Sequence, residues 1–366
     1  MQISDVKSTP LLDYLESLGG NIEVQEGKKV IKNFDNLESE IDSLYNGVGL
    51  RDISHYGIIE LKGKDTLDYL HRIGTNATKD LPKEGIARTI FTNEKGKIID
   101  KGTLVNFEDY QLLIVSAEQK MKVISWLNKY IITDDVKPAD ANDKYSLLEL
   151  IGPQADSFIT LICGNSVNNI NPNSFKIFSS EGMIFFLLKI IDAKGNVKFW
   201  IIADHANAKK IINYLVENKG PFNFNLIGEE AYNSFRIERG IPIASNELND
   251  QYNPHEAKIN ELIDSKKGCY IGQEVIARLE TYDKVQRSLM GVVLSNTDSI
   301  NTPVNLYSDG NEAGTITSAA YSLKLKKQIG LAYIRKAFCQ EGKILSVKIE
   351  NGNSLNATVV SLPFKK

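Results

Sequence analysis

The sequence predicts an α+β protein that closes on a small antiparallel β-barrel or sandwich. Three observations carry this. Over roughly the first 280 residues, stretches with apolar period two and apolar period 3.6 follow one another in mixed order. From Gln286 onward the pattern changes to short strands separated by turn chemistry. The length of 366 residues, against about 150 per domain, implies two or three cores rather than one.

Composition narrows the class further. Hydrophobic residues make up 42% and charged residues 24%, which excludes a disordered chain, a collagen-like repeat and a disulfide-dense scaffold. The formal charge of −3 gives no blanket attraction to phosphate backbones, so no direct nucleic-acid partner is expected. Cys163, Cys269 and Cys339 have neither a CxxC spacing nor a nearby histidine pair. They fit no disulfide framework and no zinc site, and point to a reducing cytoplasm. Asp5, Lys7, Asp13 and Glu16 interrupt the first 20 residues, and the longest apolar run, 183–188, falls far short of the ~20 residues that span a bilayer. No export signal and no membrane segment is expected.

The elements follow in order. Asp35 or Asn36 caps a helix that runs to Gly47, with Leu37, Ile41 and Leu44 on one stripe. Residues 55–62 alternate as a strand, and 64–74 form a short helix carrying Leu67, Leu70 and Ile73. Residues 86–92, the turn Asn93-Glu94-Lys95-Gly96 and residues 97–107 make a hairpin, and 110–115 add a strand. Ser116 followed by Gln119 reads as a capping box opening a helix over 117–130, with Val123, Ile124, Leu127 and Ile131 on one side. Residues 133–143, rich in Asp, Asn and Pro, form a loop before a strand at 145–151 and a helix after Gly152-Pro153. Residues 164–174 are an asparagine-rich surface loop. A second hairpin joins 183–191 to 197–203 through a turn at 192–196; a helix then runs from Asp204 to Lys219, where Gly220-Pro221 ends it. Residues 228–240 are another helix. The turns Ser308-Asp309-Gly310-Asn311 and Asn351-Gly352 punctuate the terminal strands.

Several motifs punctuate this frame: RDISHYG from Arg51, TNATKDLPKEG from Thr75, NEKGKIIDK from Asn93 to Lys101, SFRIERGIP from Ser234, NPHEA from Asn253, KGCYIGQEVIAR from Lys267, and LPF near the end. In order and spacing they cover nearly the whole chain. On these residues the sequence resembles the glycine-cleavage T-protein (aminomethyltransferase) superfamily. KGCYIGQE is similar to the signature of its folate-binding YgfZ branch, which assists iron–sulfur proteins.

The resemblance implies three lobes around a central tetrahydrofolate pocket. Two α+β lobes would share residues 1–283, one from about 1–55 plus 140–283 and one from 56–139, and residues 284–366 would form the barrel. T-proteins carry a hairpin resembling NExGGIIDD, whose second aspartate is catalytic. Here Asp100 holds the first of these positions and Lys101 the second. Neighbouring strand residues face opposite sides, so Asp100 takes over that role only with a bulge or a register slip. One-carbon transfer at a folate nitrogen needs a group that holds or relays a proton, and lysine brings the opposite charge. The resemblance also implies a pterin-holding glutamate near residues 197–200, where KGNVKFWII has none. Altered or lost pterin recognition is the expectation, and a classical aminomethyltransferase is disfavoured.

Other positions are carried over on the same resemblance. Arg236 aligns with an arginine near the folate, where a guanidinium fork suits a glutamyl carboxylate; a helix-surface or interlobe salt bridge is the other reading. Ser116 aligns with a folate-contacting asparagine, or is only the cap described above. Cys269 lies just ahead of a helical run from Gln273, an arrangement that favours a thiolate, and the family points to a redox or cluster-contacting thiol. Gln273 and Glu274 bring an amide and a carboxylate to the same corner. The alternative there is a packed, inert cysteine beside a buried Gln–Glu network. None of His55, His71, His205 and His255 has metal-ligand spacing. A stable cluster needs about four cysteines, so any cluster contact would be transient or shared with a partner.

Three functions compete: a tetrahydrofolate-binding accessory to iron–sulfur proteins or their assembly machinery, a tetrahydrofolate-dependent aminomethyltransferase, and a scaffold that kept the fold and lost the ligand. KGCYIGQE favours the first.

Overall fold

The computed structural model describes residues 8–25, 27–34, 36–192, 195–281, 284–348 and 354–365. In chain order the elements are α1 (Leu12–Ser17), β1 (Asn21–Gln25), β2 (Lys28–Asn33), α2 (Leu37–Asn46), β3 (Val48–Asp52), β4 (Gly57–Lys62), α3 (Thr66–Ile73), β5 (Ile86–Thr92), β6 (Ile98–Asn106), β7 (Gln111–Val115), α4 (Lys120–Tyr130), β8 (Lys137–Asp140), β9 (Ser146–Ile151) and α5 (Ala155–Cys163). They continue as β10 (Ser174–Ser180), β11 (Met183–Ile191), β12 (Val197–Ala203), α6 (His205–Glu217), β13 (Phe224–Leu226), α7 (Glu229–Arg239), α8 (Gln273–Thr281), β14 (Arg287–Leu294), β15 (Val304–Ser308), β16 (Asn311–Ser322), β17 (Lys327–Arg335), β18 (Ile344–Lys348) and β19 (Ser354–Val360). They fold as two compact units: Met1–His71, Ala77–Thr89 and Gly102–Tyr232 in the first, and Arg72–Asn76, Ile90–Lys101 and Asn233–Lys366 in the second.

The first unit is built on a six-stranded sheet in the order β10-β11-β12-β9-β3-β13. Its strands β11 and β12 are apolar at nearly every position, and period two sorts the sheet's apolar residues into two cores. Leu148, Leu150, Leu187, Phe199 and Ile201 point to a layer with Phe158 and Ile159 of α5 and Ile211 and Leu215 of α6. Leu147, Leu188, Trp200 and Ile202, on the alternate positions, meet Ile58, Val105, Leu112 and Ile114. These last come from a five-stranded sheet in the order β5-β6-β7-β4-β8. Each large apolar side chain so buried contributes about 1.5–3 kcal/mol.

In the second unit β14, β17, β16, β15, β18 and β19 close into a barrel, with every pairing antiparallel. The expectation of a barrel or sandwich resolves to the barrel. The same alternation fills it: Met290, Val292, Ile316, Ala332, Ile334, Leu345 and Val359 point inward. Leu289, Ile329, Leu331 and Tyr333 point outward, against Ile237 of α7 and Leu248, Tyr252 and Ile259. The β15–β16 turn places Asp309 at φ 49° and Gly310 at φ 79°, the left-handed pair that a two-residue hairpin needs.

Local signals account for several boundaries. Asn36 caps α2, its side chain accepting from Ser39 N at 3.1 Å, and Asp204 caps α6, accepting from Asn207 N at 2.8 Å. Asp35, the middle of the 192–196 turn and Asn351-Gly352 lie outside the described residues.

Other expectations are corrected. Ser116 does not cap α4, which starts at Lys120 with Gln119 at its cap position and no side-chain cap bond. Residues 116–119 form a turn closed by Gln119 N donating to Ser116 O at 3.2 Å, and that turn takes up the residues a capping box would have used. The loop expected over 133–143 contains β8, an edge strand paired to β4 with Pro138 opposite Leu61. An edge position tolerates a proline and leaves polar side chains in water, so the strand reads as a loop. The 164–174 loop holds a 3₁₀ turn at Gly164–Asn169 and buries Val167 and Ile170. α1, β1, β2, β3, β10 and β13 have no counterpart in the expectation. They are short or half-exposed.

Asp204→Ala should cost about 1 kcal/mol of stability through the lost cap, whereas Gln119→Ala should stay within about 0.5 kcal/mol. Urea midpoints of the two variants against the parent protein check the contrast.

Candidate functional site

The hairpin that carries the expected site residues belongs to the second unit over residues 90–101. Asn93 N donates to Lys97 O and Gly96 N to Asn93 O, both at 2.9 Å, closing the turn. β6 then places Asp100 wholly out of water. Lys101, its neighbour, sends its Nζ to Pro242 O at 3.1 Å.

Arg236 is buried, at 2% exposure, and its three nitrogens all donate to protein acceptors. Nε donates to Asn233 Oδ1 at 2.8 Å, Nη1 to Glu247 Oε2 at 3.2 Å and Ile241 O at 3.4 Å, and Nη2 to Ser318 Oγ at 2.8 Å. Glu247, 0% exposed, also accepts from Thr317 Oγ1 and Ser318 Oγ at 2.6 Å each and from Ile243 N at 3.1 Å. Of the two expectations for Arg236, the structure realises the ion pair. A fork already filled by Glu247, Asn233 and Ser318 does not fit a ligand carboxylate.

Cys269 is exposed, which overturns the packed, inert reading. Glu274 is exposed too, so the expected buried Gln–Glu network does not form. Gln273 Oε1 instead accepts from Tyr270 N at 3.3 Å and steadies the start of α8. Two residues before the thiol, burial pushes the Lys267 ammonium down to about 8, and its Nζ stands 5.1 Å from the centre of the Tyr270 ring. Asp100, Lys101, Arg236, Cys269, Gln273 and Glu274 therefore share the second unit, and Ser116 belongs to the first.

The first unit holds a charged cluster around Arg51, which opens the RDISHYG motif, with partners that no motif announced. Arg51 of β3 lies directly opposite Glu149 of β9, and Glu149 lies opposite Trp200 of β12. Glu149 Oε1 accepts from Lys198 Nζ at 2.8 Å and Trp200 Nε1 at 2.9 Å, and Oε2 pairs with Arg51 Nη1 at 3.4 Å. Arg51 also forks onto Glu229, its Nη2 at 2.8 and 2.7 Å from the two carboxylate oxygens and its Nε at 3.0 Å from Oε1. Its guanidinium carbon stands 3.6 Å over the Tyr232 ring. Burial alone would raise the Glu149 pKa; the Lys198 and Arg51 charges and the hydrogen bonds from Lys198 and Trp200 outweigh it and bring the carboxyl down to about 2. The strand 197–203 has no glutamate, but the adjacent strand sets one beside Trp200. The signal for it was a lone acid inside the apolar run SLLELI and a lone arginine inside VGLRD, since a charge within a buried strand needs a partner.

Among the described residues no group of three or more His, Cys, Asp or Glu side chains is placed to hold a metal, and no helix is long and apolar enough to cross a membrane.

Comparison with known proteins adds the following. Residues 11–267 match the model described as the GCVT N-terminal domain, and residues 287–366 match the glycine cleavage T-protein C-terminal barrel domain. An aminomethyltransferase of Bacillus licheniformis is 27% identical over 363 residues, 99% of each chain. One of Thermoanaerobacter pseudethanolicus is 25% identical over 365 residues, 100% of this chain and 99% of the other. The glycine cleavage system aminomethyltransferase T of Bartonella henselae superposes with a TM-score of 0.84 at 21% identity, covering 98% of each chain. At that identity the likeness establishes the fold.

Glu149→Gln should destabilise the protein by about 3 kcal/mol at neutral pH, because it leaves the buried Arg51 with Glu229 as its one counter-charge in the cluster and the partly exposed Lys198 without Glu149. The folded pKa lies below the ordinary value of 4.5, so the ionised carboxylate contributes fully above about pH 4.5 and is lost as pH falls toward 2. Urea unfolding of both proteins at pH 7, 4 and 3 should show the gap narrowing with acid. A gap independent of pH would exclude the ionic origin.

Proposed function

The chain belongs to the glycine-cleavage T-protein family, and on that premise we propose that it binds tetrahydrofolate in a folate-dependent role of the T-protein kind. The observation that supports this most is the 93–101 hairpin, which folds as a tight turn running into a strand and buries Asp100 beside Lys101. When bound, tetrahydrofolate supplies the nitrogens that carry a one-carbon unit. A carboxylate suits the holding of a proton near such a nitrogen, but Asp100 is wholly buried and, as the strand neighbour of Lys101, faces the opposite side. The fit of the remaining set is partial. Lys101 offers a cation where a developing positive charge would be repelled, and the Arg236 nitrogens are already engaged.

Aminomethyl transfer is the activity that the relatives' names carry, and it is the first reading of the role. A second is favoured by the exposed Cys269 together with Lys101: an accessory to iron–sulfur proteins or their assembly machinery that binds the folate without turning it over. Three free thiols suit the reducing cytoplasm in either case.

Isothermal titration of the full chain with tetrahydrofolate should give saturable heat. No heat with any reduced folate would remove the proposal. With an aminomethyl-lipoyl carrier protein as donor, formation of methylenetetrahydrofolate supports the transferase, and binding without formation supports the accessory role. In the accessory case Cys269→Ala should lose function without losing its fold.

A further inference from the structure

We propose that the string at residues 267–274 acts on the candidate site as a latch that sets the position of Asp100 and Lys101, with Thr92 as its positioning residue. The inference rests on the folate reading above and adds to it the residues that hold the site in place.

Thr92 ends β5 and is fully buried. Its hydroxyl donates to Ile271 O at 2.6 Å, joining the hairpin to the string by one short bond. The next residue of the string, Gly272, has φ +82°, and a Cβ there would stand 2.5 Å from Asn93 O and 3.0 Å from Gly96 Cα. Only glycine lets these two backbones approach so closely. Gly96, at φ +67°, sits against α8 in turn: a Cβ there would lie 3.2 Å from Ile276 and 3.3 Å from Val275. α8 is itself held, because His255 Nε2 lies 3.1 Å from Ile276 O and Nδ1 2.9 Å from Asn260 Oδ1.

The far side of the turn is tied as well. Lys97 Nζ donates to Gln251 O at 2.8 Å and Ile98 N to Tyr252 O at 2.9 Å. Asp100 follows two residues later on the same strand. The turn is closed by its own hydrogen bonds, so displacing it moves the strand start as a body. A misplacement of about 1 Å is enough to degrade a site whose groups must meet a ligand in one geometry. The string therefore contributes through its glycine and the Ile271 carbonyl, while Cys269 stands exposed two residues ahead of that carbonyl.

The experiment compares Thr92→Val, which keeps the shape and removes the hydroxyl donor, with Thr92→Ser, which restores the donor. Three measurements are made on the full chain: tetrahydrofolate affinity by titration, amide hydrogen exchange of residues 93–101, and melting temperature. Thr92→Val should weaken affinity about ten-fold and speed exchange in 93–101 selectively. Thr92→Ser should restore both. Unchanged affinity in the valine variant, or exchange that rises alike across the second unit, overturns the latch. If the unmodified protein binds no tetrahydrofolate, the folate reading falls by itself. The exchange data then decide the latch alone: selective, serine-reversible acceleration sustains it, and any other pattern overturns it.

Discussion

The buried pair of Arg236 and Glu247 is the constraint on which the second unit depends. Removing two such charges from water costs several kcal/mol each, and their attraction offsets that only when the remaining donors and acceptors are also met. Here they are met by Asn233, Ile241, Ile243, Thr317 and Ser318. The pair thereby seats α7 on β16, and Ser234 and Glu238 continue the seam with Tyr321 O and Ser322. It also shapes the segment after the helix. Pro242, whose carbonyl receives Lys101, stands between Ile241 and Ile243, the two residues whose backbone groups the pair engages. The position of the lysine in the candidate site is thus inherited from an ion pair it does not touch.

The first unit meets the same problem in a different place. Arg51, Glu149, Lys198 and Glu229 bring two positive and two negative charges together between strands that are otherwise apolar. Both oxygens of Glu149 are occupied, so the carboxylate that stands beside Trp200 serves the fold before it can serve a ligand. Unpaired, Arg51 or Glu149 would cost more than a core leucine contributes. Such a cluster is retained or lost as a set.

Much of the fold was legible because the strands obey period two on both faces. Leu147 and Leu148 read as one apolar run, and the pleat sends them to different cores. Asn36 and Asp204 announced their helices because a cap acts within one turn of chain. Ser116 misled for the same reason: a capping box is a local pattern, and nothing local says that Gln119 N will close a tighter turn on Ser116 O. β8 was hidden because an edge strand is held by backbone pairing, which leaves little trace in side-chain polarity. Of the candidate residues, Asp100 and Lys101 were found by motif, whereas Glu247 and Glu149 were not. Glu149 meets Arg51 from 98 residues away, and Glu247 joins Arg236, 11 residues off, to Ser318, 71 residues off.

The amino-acid order by itself determined the α+β class, the terminal strands, the two hairpins and the substitution of lysine at the second position of the motif, since each is written in neighbouring residues. Only the tertiary structure decided that Arg236 is an internal strut rather than an open fork, that Cys269 faces water, and that Gly272 serves the close approach of the 93–96 turn. Those outcomes depend on which segments meet across 82 and 179 residues, and a meeting at that range follows from how whole layers pack, not from any local run of side chains.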